Sequence, residues 1–192
     1  MLRRRGRLAI ETDRLILRPP RMSDYVPWAT VLRESEAFLK PWEPVRPPDH
    51  ISRRAFRGRV AWADRAIEQG RALPLFLHRR SDERLLGGVT LDHIRRGPAQ
   101  AGTLGYWIGV SDTRQGFMRE AVEGVVAYAF SEMGLSRIEA ACLPENVASR
   151  GLLEGLGFVE EGEASGYLQI AGTWRAHVLY ARLRSDRKSA TA

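Results

Sequence analysis

The sequence has very little cysteine, no long apolar run and no pattern typical of a leader peptide. Its one cysteine, Cys142, cannot form a disulfide within the chain, which fits a reducing compartment. No apolar run approaches the roughly 20 residues of a transmembrane helix. The basic stretch 1–7 is followed by only three apolar residues, too few for the apolar region of a signal peptide. We therefore expect a cytoplasmic protein with no membrane partner.

The formal net charge of +7 is high for a chain of 192 residues. Such a balance occurs in proteins that bind nucleic acids or other anions. Much of the charge lies near the two termini, however, and the sequence has no helix-turn-helix, zinc-finger or RNA-recognition pattern. We expect no sequence-specific contact with nucleic acid and no metal site. Residues 1–7 and 185–192 are expected to be basic, flexible tails.

Length and composition favour one domain, which we place at residues 8–184. Apolar periodicity, together with glycine and proline, predicts a chain that alternates strands and helices. The last two strands should form a hairpin about Ala171-Gly172. The predicted strands are 8–18, 72–77, 85–91, 102–110, 137–143, 160–170 and 173–183, and the predicted helices are 25–38, 52–69, 115–133 and 147–155.

The segment 38–48 contains four prolines, two of which flank Trp42 and Glu43. Proline cannot continue a helix, so we predict a stiff extended loop here. One interpretation is a helix terminator with a packed tryptophan. The other is a wall of the substrate site, because rigid loops that carry an aromatic ring and a charge often have a function.

The stretch 113–158 carries the strongest functional pattern. A loop with Gly116 at its tip leads into a helix with a broad apolar stripe, which predicts that the helix packs on a sheet. Glycine lets backbone approach a ligand closely, and the first N–H groups of a helix face any anion placed there. The loop and helix therefore predict a binding site for a diphosphate.

Three further segments carry a family resemblance. They are Phe38–Arg46, the strand Leu104-Gly105-Tyr106-X-Ile108-Gly109, and the stretch Tyr167–Leu179 with its Gly-X-Trp-Arg-X-His pattern. Together with the order of the elements, they resemble the GNAT-type N-acetyltransferases over about residues 10–183. The likeness is greatest to the RimJ/RimL branch, and within it to RimJ. The resemblance implies an α/β (α+β) fold with a mixed, mostly antiparallel twisted sheet, a splayed central strand pair and flanking helices.

The resemblance also implies acetyl-CoA as the donor and direct transfer of the acetyl group to an amine. A backbone N–H near Ile108 would polarise the acetyl carbonyl, pantetheine would run along the same strand, and the diphosphate would lie at the start of the long helix. The predicted cofactor-binding residues are Ile108, Gly109, Val110, Arg114, Gln115, Gly116, Phe117, Met118, Arg119, Asn146 and Ser149.

The phosphate loop departs from the family pattern at two positions. Thr113 replaces a leading Gln or Arg, and Arg114 stands where a glycine is usual, while Gly116 holds the most constrained place. Arg114 either turns outward, or pairs with a CoA phosphate, or weakens CoA binding. The alternative without a cofactor is that this loop is only a turn before a helix.

Asn146 and Ser149 match the Asn-x-x-Ser pattern of the family. Asn146 is a candidate helix cap and also a candidate partner of pantetheine. Many relatives carry a tyrosine seven residues after this asparagine as the acid for the leaving thiolate, and here that place is Leu153. Ser149, one turn closer to the cap, is therefore the candidate that donates a proton or hydrogen bond to sulfur.

The sequence does not identify a single general base, because Thr103 and Leu168 stand at the positions where some relatives carry carboxylates. Glu43 is the leading candidate, followed by His93 and Asp92. A protein α-amine with a pKa of about 7.7–8.0 is partly neutral near pH 7.5, whereas a lysine is almost fully charged, so a site without a strong base suits an N-terminal amine.

Cys142 is not favoured as an acetyl-carrying nucleophile. It lies in the apolar run Ala140–Leu143, and nothing nearby in the sequence activates it. The sequence therefore favours direct transfer over a covalent acetyl-enzyme.

We predict an N-acetyltransferase that acts on the N-terminal α-amine of a protein, with a ribosomal protein as the partner. The alternatives are a small-molecule amine acetyltransferase of the same fold, and a non-catalytic module that binds CoA or associates with ribosomes. Ribosome association and the choice between monomer and homodimer stay open. The predicted substrate-binding residues are Trp42, Glu43, Tyr106, Tyr167 and Trp174.

Overall fold

A computed structural model describes residues 8–185, so the predicted tails lie almost wholly outside the described residues. The described chain forms one eight-stranded sheet with helices on both faces. The strands are β1 (Ile10–Glu11), β2 (Leu15–Arg18), β3 (Leu73–Arg79), β4 (Leu85–Arg95), β5 (Ala101–Ile108), β6 (Arg137–Cys142), β7 (Val159–Ile170) and β8 (Thr173–Leu183), and the helices are α1 (Tyr25–Glu34), α2 (Glu36–Leu39), α3 (Arg53–Glu68), α4 (Phe117–Ser131) and α5 (Val147–Gly155).

The strand order in the sheet is β1-β2-β3-β4-β5-β6-β8-β7. Every neighbouring pair is antiparallel except the central pair β5 and β6, which is parallel. The β5–β6 ladder runs from Ala101 opposite Arg137 only to Leu104 opposite Ala140, although both strands continue beyond that point. The two central strands therefore diverge, which confirms the predicted mixed sheet with a splayed pair.

Two apolar clusters pack on opposite faces of the sheet. On one face, α4 buries Ala121, Val122 and Val125 completely against the strands. On the other face, α1 and α3 pack Trp28 and Phe56, whose ring centroids are 4.7 Å apart. The broad apolar stripe predicted for the long helix is confirmed, and it fixes the start of α4 beside the splayed strands.

The structure corrects several predicted boundaries. The strand predicted at 8–18, with a polar interruption at 11–14, is divided at that interruption into β1 and β2, where the Thr12 N–H donates to the Leu15 carbonyl, 3.0 Å away. The helix predicted at 25–38 breaks at Ser35 into α1 and α2. The extended loop predicted at 38–48 is wrong at its start, since residues 40–42 form a 3₁₀ turn with Pro41 in its first turn, a place where proline is tolerated.

Within residues 8–185, no helix is long and apolar enough to cross a membrane. The same residues contain no group of three or more His, Cys, Asp or Glu side chains that could hold a metal ion.

Candidate active site

The gap between β5 and β6 exposes backbone groups of β5. Successive residues of a strand direct their N–H and C=O groups to alternate sides. The Gly109 N–H donates to the Leu86 carbonyl of the neighbouring β4 at 2.8 Å, so the backbone groups of Ile108 point the other way, toward β6. The parallel ladder has already ended at Leu104, and the backbone groups of Tyr106 and Ile108 therefore face the gap.

Gly109 and Val110 are less available than predicted. The Val110 N–H donates to Ser35 Oγ at 3.0 Å, and the Val110 carbonyl accepts from both the N–H and the hydroxyl of Thr113. A Cβ added at Gly109 would lie 2.8 Å from Val31, so this glycine allows a close approach of α1. Of the predicted stretch 108–110, Ile108 is the residue whose backbone groups point toward the gap.

A pair of hydroxyl groups closes one side of the gap. The Tyr106 and Ser149 hydroxyls share a hydrogen bond of 2.7 Å, although the residues come from β5 and α5. Burial raises the pKa of the Tyr106 phenol well above its ordinary value, so this hydroxyl stays protonated at neutral pH. The pair holds two hydrogen-bond donors at the edge of the gap.

Asn146 fixes the position of Ser149. The Asn146 side chain accepts a hydrogen bond from the Ser149 N–H at 3.1 Å and so caps α5. The helix cap predicted at Asn146 is therefore confirmed. With its side-chain oxygen used by the cap, Asn146 places Ser149 in the first turn, directed toward β5.

Tyr106, predicted to bind the substrate, and its neighbour Trp107 lie on opposite faces of the sheet. The Tyr106 side chain packs with the α4 face of the sheet, whereas Trp107 packs with α1 and α3 on the opposite face. The reason is the two-residue period of a strand, which places consecutive side chains on opposite faces.

Cys142 lies at the end of β6, next to this pair. Its side chain is 7% exposed. Burial raises the pKa of the Cys142 thiol, and a hydrogen bond with Ser149 offsets only part of that rise. A protonated, buried thiol is a poor nucleophile, in agreement with the expectation from sequence.

The loop before α4 contains two residues with left-handed backbone. Gly116 has φ +80° and caps α4 without any side-chain hydrogen bond, which leaves the first N–H groups of the helix open to a ligand. Arg114 has φ +60°, a conformation that is easy for the glycine usual in this family but strained for arginine. The exposed Arg114 and the first-turn Arg119, which donates to the Gly155 carbonyl at 2.6 Å, add positive charge to this loop.

Arg14 and Glu120 support the loop and were not predicted. Glu120 in α4 accepts hydrogen bonds from the Thr12 hydroxyl at 2.6 Å and from the Arg14 N–H at 2.7 Å. Arg14 Nε donates to the same carboxylate, and Arg14 Nη1 donates to the Gln115 carbonyl at 3.0 Å. The Arg14 guanidinium also lies 4.6 Å from the centroid of the Phe117 ring. Residues more than 100 positions apart in the chain leave no local signal of such a contact.

Glu43 lies at a cavity between α1, α2 and the proline-rich segment. Its carboxylate pairs with Arg46, and its backbone carbonyl accepts from the Ala171 N–H at 2.9 Å, which ties the segment to the β7–β8 turn. The cavity has a volume of about 210 Å³, and Lys40 and His50 also line it. Burial raises the pKa of Glu43, although the neighbouring Arg46 lowers it in part.

The other predicted acceptor residues have different surroundings. Trp42 is half-buried in the 3₁₀ turn that leads to Glu43. Trp174 is 66% exposed on the β7–β8 hairpin, and Tyr167 on the same hairpin has its ring centroid 5.6 Å from that of the buried His177. His93, by contrast, has an exposed side chain in an irregular part of β4, with φ +48°.

Comparison with known proteins agrees with this geometry. The family model "Acetyltransferase (GNAT) domain" matches residues 14–159. The [ribosomal protein uS5]-alanine N-acetyltransferase of Escherichia coli strain K12 is 34% identical over 180 residues, which cover 94% of this chain and 93% of that enzyme.

Two solved structures share the architecture over most of their length. The ribosomal-protein-S5-alanine acetyltransferase of Vibrio fischeri has a TM-score of 0.87 at 30% identity and covers 95% of this chain and 100% of its own. Mycobacterium smegmatis RimJ, solved in complex with CoA-disulfide, has a TM-score of 0.85 at 30% identity and covers 91% of this chain and 84% of its own. The splayed strands, the open start of α4 and these matches lead to one conclusion: the chain belongs to the GNAT family of acetyltransferases.

Proposed function

We propose that this enzyme transfers the acetyl group of acetyl-CoA directly to the α-amine of a protein N-terminus, and that the acceptor is a ribosomal protein. The observation that carries the proposal is the 34% identity, over 94% of the chain, to an enzyme named for acetylating the alanine of ribosomal protein uS5. The M. smegmatis protein solved with CoA-disulfide supports the choice of cofactor.

The cofactor would occupy the gap between β5 and β6 and the start of α4. The backbone N–H of Ile108 is the donor for the acetyl carbonyl, whose oxygen gains negative charge in the transition state. The open N–H groups after Gly116 and the guanidinium of Arg119 suit the diphosphate. Arg14 and Glu120 hold the loop between these two regions in place.

The reaction moves one proton overall from nitrogen to sulfur. The neutral amine attacks the acetyl carbon, the C–N bond forms, and collapse of the tetrahedral intermediate breaks the C–S bond. The nitrogen loses a proton and the CoA thiolate gains one. The total charge of the products, the amide and the free CoA thiol, therefore equals that of the neutral amine and acetyl-CoA. Ser149 donates a hydrogen bond to the departing sulfur. Either hydroxyl of the Tyr106–Ser149 pair, 2.7 Å apart, can be the donor, and this role of Ser149 requires Tyr106 to donate to the Ser149 oxygen.

An α-amine requires little help from a base. At pH 7.5 about one-third of an α-amine is neutral, against about 0.1% of a lysine side chain. Glu43 is the candidate base, because burial raises the pKa of its carboxylate toward that of the amine. The exposure of the His93 side chain, 77%, makes it a weaker candidate, since a base must reach the amine inside a cleft.

The test is release of free CoA thiol with short peptides that differ only at their first residue. We expect turnover with an N-terminal alanine peptide and none with the same peptide formylated at its α-amine. A peptide with a blocked N-terminus and an internal lysine should react at least 100-fold more slowly. Binding of acetyl-CoA with turnover only on small amines would replace the proposal with the small-molecule reaction, and absence of binding would refute the enzyme assignment.

A further inference from the structure

The positive charge of the folded domain is concentrated on α3. Of the formal charge of +7, five units lie in residues 1–7 and 186–192, so the described residues 8–185 carry only +2. Helix α3 contains five arginines and two carboxylates and therefore carries +3 by itself. Since +2 minus +3 leaves −1 for the rest of the described chain, the net positive charge of the domain lies in this helix.

The arginines of α3 fall into two groups by their place around the helix axis. The side that faces the sheet buries Phe56, Ala63 and Ala66. At about 100° per residue, Arg54, Arg57 and Arg65 fall within an arc of about 80° on the side away from Phe56, and they span about 16 Å along the axis. We call these three residues the α3 arginine row.

The row differs from the remaining arginines of the helix in its contacts. The Arg53 guanidinium lies 5.6 Å from the centroid of the Tyr25 ring, and that of Arg59 lies 5.4 Å from the Trp28 ring, so both have structural roles. Among residues 8–185, no hydrogen bond, ion pair or ring contact engages the side chains of the three members of the row. Three exposed guanidinium groups are thus held on one rigid helix without internal partners.

The helix surface between Arg57 and Arg65 carries small residues and one exposed carboxylate, Asp64. Gly58 and Ala61 lie between Arg57 and Arg65, and a Cβ added at Gly58 would meet nothing within 4 Å. Phe56, Ala63 and Ala66 face the core, and Trp62, 37% exposed, is the one large apolar side chain of the helix that is exposed, so the outer face lacks the broad apolar stripe of a helix that inserts into a membrane. The geometry therefore suits an elongated anion that lies along the helix and is contacted by forked donors.

We propose that the α3 arginine row binds the phosphate backbone of structured RNA without reading its sequence. RNA presents several phosphates within 16 Å, and arginine contacts to phosphate supply position and affinity but no base readout. This binding activity is separate from acetyl transfer and does not depend on the identity of the acceptor.

The experiment measures binding of the full chain to a fluorescein-labelled RNA hairpin of arbitrary sequence, by anisotropy between 50 and 200 mM salt, without acetyl-CoA or peptide. The test variant combines Arg54→Gln, Arg57→Gln and Arg65→Gln. We expect at least a tenfold loss of affinity at 100 mM salt. The slope of log K against log salt should become shallower by about 2 to 3, as expected for three lost phosphate contacts. A second hairpin of unrelated sequence should bind equally well.

The matched control removes the same charge from the N-terminal stretch, with Arg3→Gln, Arg4→Gln and Arg5→Gln. If this control abolishes binding and the helix variant does not, the proposal is wrong. The proposal is also wrong if the wild type binds poly-glutamate or phosphatidylserine vesicles as tightly as the RNA hairpin or more tightly. Absence of binding to RNA would overturn it as well. The helix variant should retain its unfolding temperature and its acetylation of a free peptide, which separates lost RNA contacts from lost fold or lost catalysis.

Discussion

The Val110 N–H donates a hydrogen bond to Ser35 Oγ at 3.0 Å, across 75 positions of the chain. Ser35 is 1% exposed and stands at the break between α1 and α2, while Val110 directly follows the Ile108-Gly109 end of β5. This hydrogen bond joins α1 and α2 to β5, the strand whose backbone N–H we propose polarises the acetyl carbonyl. The break in the helix is therefore part of the active-site framework.

Ser35→Ala should weaken both the fold and the cofactor site. The substitution removes a part-buried hydrogen bond of the Val110 N–H, which costs about 0.5–1.5 kcal/mol of unfolding free energy. Because the end of β5 loses a fixed contact, the affinity for CoA should also fall. Urea unfolding and calorimetric titration with CoA measure the two effects. Ser131→Ala, at an exposed serine of α4, is the control, and an equal effect of both substitutions would contradict the framework role.

Ser149→Ala should lower kcat by about 100-fold with little change in CoA affinity, because it removes the proposed donor to the leaving sulfur. Tyr106→Phe should lower kcat less, by about tenfold, since it only removes the polarisation of Ser149. Single-turnover rates and CoA titrations separate these effects. Tyr128→Phe, a partly buried tyrosine of α4, is the matched control. A larger effect of Tyr106→Phe than of Ser149→Ala would reverse the proposed order of the two hydroxyls.

Local signals predicted those parts of the site that depend on local structure. The cap at Asn146, the loop glycine Gly116 and the apolar stripe of α4 all follow from residues within a few positions of one another. These features are also where the resemblance to the family is read, so the general location of the cofactor site was predictable.

Contacts between distant residues were not predictable in the same way. The helix breaks at Ser35 although its apolar pattern continues, because the serine hydroxyl pairs with Val110. In the sequence, Glu120 has the position of an exposed charge on a helix surface. Only the folded chain places Arg14 beside it. Tyr106 lies in the strand predicted to contain it. The face of the sheet on which its side chain packs could be assigned only once the position of α4 was known. In each case the tertiary contact overrides the local pattern.

Two substitutions of Arg114, compared by their unfolding free energies, measure the backbone strain at this position of the phosphate loop. The Arg114 φ of +60° is unfavourable for a side chain with Cβ, so Arg114→Gly should give a higher unfolding free energy than Arg114→Ala by about 1 kcal/mol. Both substitutions remove the same cation, so their difference isolates the backbone term. Both should weaken CoA binding by a similar factor if Arg114 contacts a phosphate. Unfolding in urea and CoA titration at low and high salt test the two statements.

The reverse change at Gly116 is the control for this loop. Gly116→Ala forces a side chain into φ +80° and places its Cβ 3.3 Å from Arg14. We expect a loss of about 1 kcal/mol in unfolding free energy and weaker CoA binding. A neutral Gly116→Ala would show that the loop relaxes, and the strain assigned to Arg114 would then be wrong too.

Asp24 should make stability depend on pH in the acid range. Burial alone would raise its pKa, but hydrogen bonds from Arg18 and from the Arg21 N–H outweigh burial and lower the pKa from 3.8. A lowered folded-state pKa means that the stabilisation is fully present above the unfolded value of 3.8 and is lost as pH falls through the folded value.

Asp24→Asn should therefore destabilise the protein by about 3 kcal/mol at pH 7, because Arg18 keeps its buried charge without a counterion. The difference from wild type should shrink as pH falls below 3.8. Urea unfolding at several pH values between 3 and 7 measures both trends. Asp82→Asn, at a surface pair with Arg79, should leave stability almost unchanged throughout this pH range, because solvent screens an exposed ion pair. A difference for Asp24→Asn that stays constant with pH would contradict the assigned titration.

Cys142→Ala decides between direct transfer and a covalent acetyl-enzyme. Burial raises the pKa of this thiol, so it is protonated at neutral pH and should react slowly with iodoacetamide until the protein unfolds. If transfer is direct, the variant should retain kcat within a few-fold, with a modest loss of stability from the missing sulfur in the core. Mass spectrometry of the wild type with acetyl-CoA and no amine should then show no acetylated protein. A loss of kcat above 1000-fold, together with an acetyl group on Cys142, would require the mechanism to pass through that thiol.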